Sequence, residues 1–321
     1  MNRRKMCLVG SAIAMMILIL DSRAAAEAAW KGVDACLRTV IPALFPFFFI
    51  SGYLTGNLNG GGPIAKLFHS PPNCGTLILT GLLGGYPLGA RLAAEQYRAG
   101  ILTKKQADRL LWFCSQAGPS FFFGIVAAQM DNPGSAWLLW GIQILSALSV
   151  SRMLPSSPDK PRSCAKPHSK SVSDAMRAAL NAIVTVCGWI VLFHVIIAFF
   201  QRWILWLLPE TVQVILCGIL ELTNGCLMLA DIPNPQTRFL LGAVMLNFGG
   251  FCVMIQTKSL TENLDFQGYM FGKCLQTLFS VLYAWICLGH IWPFMPLFCI
   301  FLFHFGLAER KKDSISRKIV V

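Results

Sequence analysis

The chain has 321 residues, of which 55% are apolar and 13% charged, and its formal net charge is +12. Soluble domains carry about 25% charged residues, so this composition excludes an ordinary soluble protein and predicts an all-α, polytopic membrane protein. The basic residues gather in loops and in the C-terminal tail. This is typical of the cytoplasmic side of a membrane protein, and it argues against a nucleic-acid partner.

Apolar windows that are long enough to enter or cross a bilayer follow one another along the chain. We predict membrane-embedded segments at 6–20, 40–56, 75–90, 110–130, 136–154, 183–207, 212–230, 239–257, 274–290 and 293–307. The first is interpreted as a retained helix rather than a cleaved signal peptide. At least one window is re-entrant or only half a span, because the windows give no consistent number of crossings between the basic segments.

A linker rich in proline, serine and lysine divides the chain into two similar halves. Each half begins with an amphipathic helix that could lie in the membrane interface, with polar stripes at Glu27–Arg38 and Asp174–Asn181. An apolar run, a broken hairpin, a second broken helix and an exit span follow. We interpret the halves as a diverged duplication, with chance similarity between apolar sequences as the alternative. The predicted domains are an N-terminal anchor (1–26), a first repeat (27–154), the linker (155–171), a second repeat (172–290) and a C-terminal membrane segment with a basic tail (291–321).

The first broken hairpin is the sequence GLLGGYPLGAR, from Gly81 to Arg91. Glycines permit unusual backbone angles, and proline removes a hydrogen bond, so this segment predicts a hairpin tip or an unwound helix. Free N–H groups at such a tip favour an anion, and an arginine one turn later could add a full charge. The alternative is that the glycines allow tight helix packing and the arginine reaches the interface. The candidate substrate-binding residues here are Gly84, Gly85, Tyr86, Pro87, Gly89 and Arg91.

The second broken hairpin is GILELTNG, from Gly218 to Gly225. Glu221 is an acidic residue well inside an apolar window, where a charge costs roughly 2.5–3.5 kcal/mol, and such residues usually face a cavity or a partner. It could carry a proton, while Thr223, Asn224 and Gly225 could supply a hydroxyl, an amide and backbone groups to a substrate. The alternative is a protonated glutamate that is hydrogen-bonded to a neighbouring helix.

A second polar interruption follows in each half: CSQAGPS at 114–120 and LNFGGF at 246–251. Their candidate substrate-binding residues are Ser115, Gln116, Ser120 and Asn247, with interhelical hydrogen bonding as the alternative role. The 12 cysteines and five histidines fit no disulfide or metal-ligand spacing. No nucleophile with a nearby base is visible either. We therefore predict no enzyme activity, no catalytic residue, no metal and no cofactor.

Two motifs carry a family resemblance: Gly-Tyr-Pro-x-Gly-Ala-Arg at Gly85–Arg91, and Glu-Leu-Thr-x-Gly at Glu221–Gly225. From about residue 30 to 290 the chain resembles the YlbJ/SpoVV-type sporulation integral membrane proteins, of the nucleoside recognition (Gate) domain group. The stretch GPSFFFG matches the family pattern only in part, since Ser115 and Gly118 stand where asparagines are expected. The resemblance implies two repeats with re-entrant hairpins, similar to concentrative nucleoside transporters.

The resemblance also implies a function in moving dipicolinate, a small aromatic dianion, during sporulation. The expected function is transport of a small anionic aromatic solute by alternating access. The alternatives are a nucleoside-like solute, or a structural or assembly role in the spore envelope. The expected partners are the solute, the lipid bilayer and a coupling ion, H+ or Na+. The expected location is the bacterial cell membrane and, in a spore former, the mother-cell-derived outer forespore membrane. Coupling ion, direction and oligomeric state stay open.

Overall fold

A computed structural model describes residues 3–57, 61–155 and 171–289, and within these ranges the chain forms helices and connecting turns without a strand. The predicted all-α architecture is confirmed. Among the described residues, five helical segments are long and apolar enough to cross a membrane, so the chain is a polytopic membrane protein: Ser22–Leu54, Gly134–Met153, Val172–Trp203, Pro235–Leu260 and Phe266–Cys287. Most of the predicted linker, the window 293–307 and the basic tail lie outside the described residues.

The first half contains nine helices within the described residues. They are α1 (Arg3–Leu20), α2 (Ser22–Ala35), α3 (Ile41–Asn57), α4 (Gly62–Leu67), α5 (Gly75–Gly84), α6 (Leu88–Arg98), α7 (Lys104–Leu111), α8 (Pro119–Phe121) and α9 (Gly134–Met153). A π turn (Cys36–Val40) joins α2 to α3, and a second π turn (Phe122–Val126) continues α8. Irregular backbone separates α5 from α6 and α7 from α8, at the two predicted interruptions.

The second half contains six helices in the described part of the chain. They are α10 (Val172–Trp203), α11 (Glu210–Leu220), α12 (Leu222–Leu227), α13 (Pro235–Phe248), α14 (Gly250–Leu260) and α15 (Phe266–Cys287). The chain is interrupted at Glu221, between α11 and α12, and at Gly249, between α13 and α14. The order of a long helix, two interrupted segments and an exit helix therefore occurs on both sides of the linker. The duplication and its domain boundaries stay predictions.

Neither amphipathic segment is separated from the apolar helix that follows it, and the place of these segments in the membrane interface stays a prediction. The first runs without a break through the π turn into α3, and the second is the beginning of the 32-residue α10. The predicted capping box between Ser171 and Asp174 starts α10. No glycine or proline separates its polar stripe from the apolar sequence that follows, so the helix continues from one into the other. In the first half, the π turn precedes Pro42. Proline has no N–H group to donate, and its ring clashes with the carbonyl group one turn earlier, so the helix widens into the π turn here instead of ending.

The long helices of the two halves pack against each other. Buried side chains of α10, among them Ile183 and Val186, contact Cys36 and Val40 in the π turn and Leu44 in α3. A second core lies between α5, α6, α7, α9 and α15, and a third lies around α12, α13 and the segment after α8. The interruptions lie where these cores meet, so the fold brings them to the interior of the helical bundle rather than to its surface.

The arms of the second hairpin approach each other through two glycines. A Cβ atom added to Gly225 would lie 2.1 Å from the Cα atom of Gly218, and one added to Gly218 would lie 2.6 Å from the end of the Met245 side chain. Backbone cannot move aside as a flexible side chain can, so the contact between α11 and α12 requires glycine at position 225.

We expect Gly225→Ala to lower the free energy of unfolding by about 1–3 kcal/mol, because the new methyl group would force the hairpin arms apart. Gly188→Ala is the matched control, since a Cβ atom at that position of α10 meets no other atom within 4 Å. Unfolding in mixed micelles measures both. Equal stability of the two variants would contradict the close approach.

Candidate functional site

The interruptions of both halves meet at one concavity. A water-sized sphere can occupy about 40 Å³ of it, within about 430 Å³ of space that no protein atom fills and that includes open solvent. Side chains of α3 and α10 form an apolar wall. The remaining walls come from the interruptions and from nearby residues: Gly85, Tyr86, Ala117, Gly118 and Phe121 in the first half, and Glu221, Leu222, Thr223, Val253 and Gln256 in the second. Three of the four interruptions therefore line a single space, and side chains of α14, which begins at the fourth, complete its wall.

Two first-half interruptions contact each other through backbone. Helix α5 ends at Gly84, and Gly85 has a φ of +84°, a conformation that residues with a Cβ atom rarely adopt. A Cβ atom added to Gly118 would lie 2.9 Å from the backbone nitrogen of Gly85. Similarly, a Cβ atom at Gly89 would lie 2.0 Å from the carbonyl oxygen of Cys114. These glycines are required for close packing, and Gly85 and Gly118 also leave backbone exposed to the cavity.

Glu221 lines the cavity, and its carboxylate caps the beginning of α12. Its side chain is 2% exposed, and its extended backbone separates α11 from α12. Oε1 accepts a hydrogen bond from the backbone N–H of Thr223 at 2.9 Å, and Oε2 accepts one from that of Asn224 at 2.7 Å. Its observed partners thus belong to its own segment, not to a neighbouring helix as the alternative interpretation required. The bonds satisfy N–H groups that a helix start leaves without partners.

Tyr86 connects the two halves by hydrogen bonds. Its Oη donates to the carbonyl oxygen of Leu246 at 3.0 Å, beside the second-half interruption. The same Oη accepts from Nζ of Lys273 at 2.8 Å, and this ammonium lies 4.7 Å from the centre of the tyrosine ring. Two further oxygens, Oε1 of Gln276 and Oε1 of Gln116, lie 3.2 Å and 3.4 Å from Nζ. A polar network therefore extends from the cavity wall into the bundle.

Sequence reasoning missed Lys273, which is fully buried on α15. It stood just before a predicted apolar window, where a lysine is ordinarily expected to reach the interface. The available signal was the pair Lys273 and Gln276, which lie three residues apart and so share a helix face. Gln256 and the backbone of Ala117 and Gly118 are further cavity residues that were not among the predicted contacts.

Arg91 does not line this cavity. Its Nε bonds to Oε1 of Glu95 at 2.8 Å, and its Nη1 donates to the carbonyl oxygen of Ala178 at 3.1 Å, near the beginning of α10. The arginine therefore joins α6 to α10 and lines a different concavity, between α3, α6 and α10. A direct contact between Arg91 and a solute stays a prediction, and the observed arrangement does not favour it.

The other predicted contacts are at or behind the cavity wall. The cavity is lined directly by Gly85, Tyr86, Glu221 and Thr223. Six other predicted residues are adjacent in sequence or in space but do not line it: Gly84, Pro87, Gly89, Gln116, Asn224 and Gly225. Three predicted residues carry a buried side-chain oxygen without a hydrogen-bond partner: Ser115, Ser120 and Asn247. All three lie in or beside the interruptions, where a hydrogen-bonding partner from a solute could meet them.

Metal binding has no support in the described part of the chain. No group of three or more histidine, cysteine, aspartate or glutamate side chains comes together there in a way that could hold a metal ion. The cysteines within the described ranges are free thiols, most of them buried among apolar side chains.

No protein-family model matches the chain, and no solved structure matches it. Among known proteins, it is 24% identical over 319 residues to the sporulation integral membrane protein YlbJ of Bacillus subtilis. The match covers 83% of this chain and 78% of that relative. The predicted YlbJ-type resemblance is confirmed. The assignment to the Gate-domain group and the likeness to concentrative nucleoside transporters stay predictions.

We expect Glu221→Ala to lower the free energy of unfolding by about 2 kcal/mol, because two buried N–H groups lose a charged acceptor. Glu221→Gln keeps one acceptor oxygen and should cost less. Glu210→Ala, an exposed position in the first turn of α11, is the control. Thermal unfolding in detergent measures all three. A Glu221→Ala variant as stable as Glu210→Ala would contradict the capping role.

Proposed function

We propose that the protein is a membrane transporter for a small anionic aromatic solute, with dipicolinate as the first candidate, and that it works by alternating access. The observation that carries the proposal is the meeting of the interrupted segments of both halves at one cavity. Interrupted backbone at membrane depth is tolerated where it is buried in protein or lines a cavity, and in transporters such segments form the solute site.

The chemistry of the cavity supports a small solute with polar groups. Backbone at Gly85 and Gly118, the hydroxyl of Thr223 and the amide of Gln256 lie among apolar side chains. Binding sites of small molecules commonly combine apolar walls with a few fixed polar groups in this way. An aromatic ring would be accommodated by the apolar wall of α3 and α10, while its substituents would meet the interruptions.

Helix polarity supports an anion. Helices α6 and α14 both begin at an interruption, so their N-terminal ends, which carry partial positive charge, lie at the site. Both helices have 11 residues, which is about three turns and enough for their peptide dipoles to add up. The positive end of α12 is already occupied by Glu221. That carboxylate also lines the cavity, and we propose it as the group that handles the coupling ion, H+ or Na+.

The cavity in the observed conformation is too small for the proposed solute. About 40 Å³ accommodates one or two water molecules, whereas pockets for small-molecule ligands usually have volumes of about 300–1,000 Å³. Entry of a planar dicarboxylate therefore requires the walls to separate. The walls belong to different halves, so a relative movement of the halves would open the cavity, as alternating access requires.

The similarity to a sporulation integral membrane protein supports a role in spore formation, with the outer forespore membrane as the proposed location. In a sporulating strain that lacks this chain, we expect less dipicolinate per spore, and we expect re-expression of the chain to restore the content. Normal dipicolinate content in the deletion strain would contradict this role.

Uptake into liposomes that contain the purified full-length chain tests transport directly. We expect saturable uptake of labelled dipicolinate, and we expect Val186→Trp to reduce it at least tenfold, because the indole would fill the cavity. Val184→Trp is the matched control: both residues are on α10, but Val184 is 68% exposed, whereas Val186 is 6% exposed and lines the cavity.

Three results would overturn parts of this proposal. Uptake of nucleosides instead of dipicolinate would replace the solute class. Wild-type uptake by Val186→Trp would remove the cavity from the pathway. No uptake of any solute, together with a stable partner protein in pull-downs, would favour an assembly role.

A further inference from the structure

The amino group of Lys273 is buried without a negative partner. The whole residue is inaccessible to solvent, and the oxygens near Nζ belong to a tyrosine and two glutamines. Within the described ranges, no carboxylate lies at ion-pair distance from Nζ. These neutral oxygens orient the amino group but would not compensate a positive charge on it. Ionisable side chains inside membrane proteins usually mark a pathway or a ligand.

The ammonium is separated from the cavity by one side chain. Tyr86 lines the cavity and also contacts Lys273 through both its hydroxyl and its ring. It lies between the end of α5 and the beginning of α6, where no regular helix fixes it. Rotation of this side chain, or movement of the first hairpin, would bring Nζ into contact with a solute in the cavity.

The two glutamines next to Lys273 direct their oxygen atoms, not their donor groups, to its amino group. Gln116, which contacts the ammonium, follows Ser115, whose buried hydroxyl has no hydrogen-bond partner. The Nε2 atoms of Gln116 and Gln276 are held by the carbonyl oxygens of Phe113 and Trp112. The amide oxygens therefore point to the ammonium and hold it in place.

We propose that Lys273, in its protonated form, is the counter-charge for one carboxylate group of the transported solute, and that the Tyr86 hydroxyl occupies the place of this carboxylate in the observed conformation. The inference rests on the proposed transport function and names a binding residue for it. One carboxylate group of dipicolinate would exchange with the phenol oxygen at Nζ. An ammonium with three neutral oxygens gains an opposite charge when the solute binds.

Binding to the purified full-length chain in nanodiscs tests the inference with two solutes of the same shape, dipicolinate and its uncharged diamide. We expect the wild type to bind the dicarboxylate at least tenfold more tightly than the diamide. Lys273→Met should remove that preference by weakening dicarboxylate binding at least tenfold, while diamide binding changes less than twofold. Lys258→Met, which removes an exposed lysine of α14, should retain the wild-type preference.

A second variant should change dicarboxylate binding in the opposite direction, and its result does not depend on the stability of Lys273→Met. Tyr86→Phe removes the competing oxygen and keeps the ring over the ammonium, so we expect dicarboxylate binding to tighten severalfold. A purely structural contact would not predict this gain. Unchanged or weaker dicarboxylate binding by Tyr86→Phe, or a retained preference in Lys273→Met, would overturn the role of Lys273.

Binding by the wild type tests the solute class and the charged subsite separately. Equal binding of dicarboxylate and diamide would keep an aromatic solute but overturn the charged subsite. Binding of neither would overturn the solute class and the subsite together. Binding of another anion, such as a nucleoside monophosphate, that is lost in Lys273→Met would keep the subsite and replace the solute.

Discussion

The need to satisfy backbone polar groups away from water determines the arrangement of this protein. Each interruption opens N–H and C=O groups that hydrocarbon cannot bind. The described part of the chain meets this requirement with buried side chains placed at the interruptions. Glu221 accepts from two N–H groups of its own segment, and Tyr86 and Gln143 donate to the carbonyl oxygens of Leu246 and Ala117. The interruptions must therefore lie together in the interior, and a shared cavity is the consequence.

Close backbone packing holds the interruptions of each half together. Gly118 fits against Gly85 within the first half, and Gly225 fits against Gly218 within the second. At the site, side chains bridge the two halves, with Tyr86 bonded to Leu246 and Lys273. Away from the site, the halves also approach each other through glycine, since a Cβ atom added to Gly272 would lie 2.5 Å from the carbonyl oxygen of Trp112. The proposed relative movement of the halves would therefore exchange side-chain partners at the site and would have to keep these glycine contacts or slide along them.

Local sequence could predict the interruptions but not which side chains reach them. Glycine, proline and a carboxylate in apolar sequence indicate broken helices because each residue opposes a continuous helix for a reason visible in the sequence. The capping box at Ser171 is equally local. The orientation of Arg91 is not, since the turn of α6 directs it to Glu95 and α10. Lys273 is 187 residues from Tyr86 in sequence, and only the tertiary fold brings the two together.

The charges at the site are not divided between the halves as the motifs suggest. The first motif predicts anion recognition through Arg91, and the second predicts ion handling through Glu221. In the structure, both the carboxylate at the cavity and the buried ammonium behind it belong to the second half, while the first half contributes neutral groups, among them Tyr86 and Gln116. Glu221 already binds two N–H groups, whereas Lys273 has neutral partners. Under the proposed transport function, movement of the first half would change the surroundings of Lys273 more than those of Glu221, which favours an anion as the solute that follows this movement.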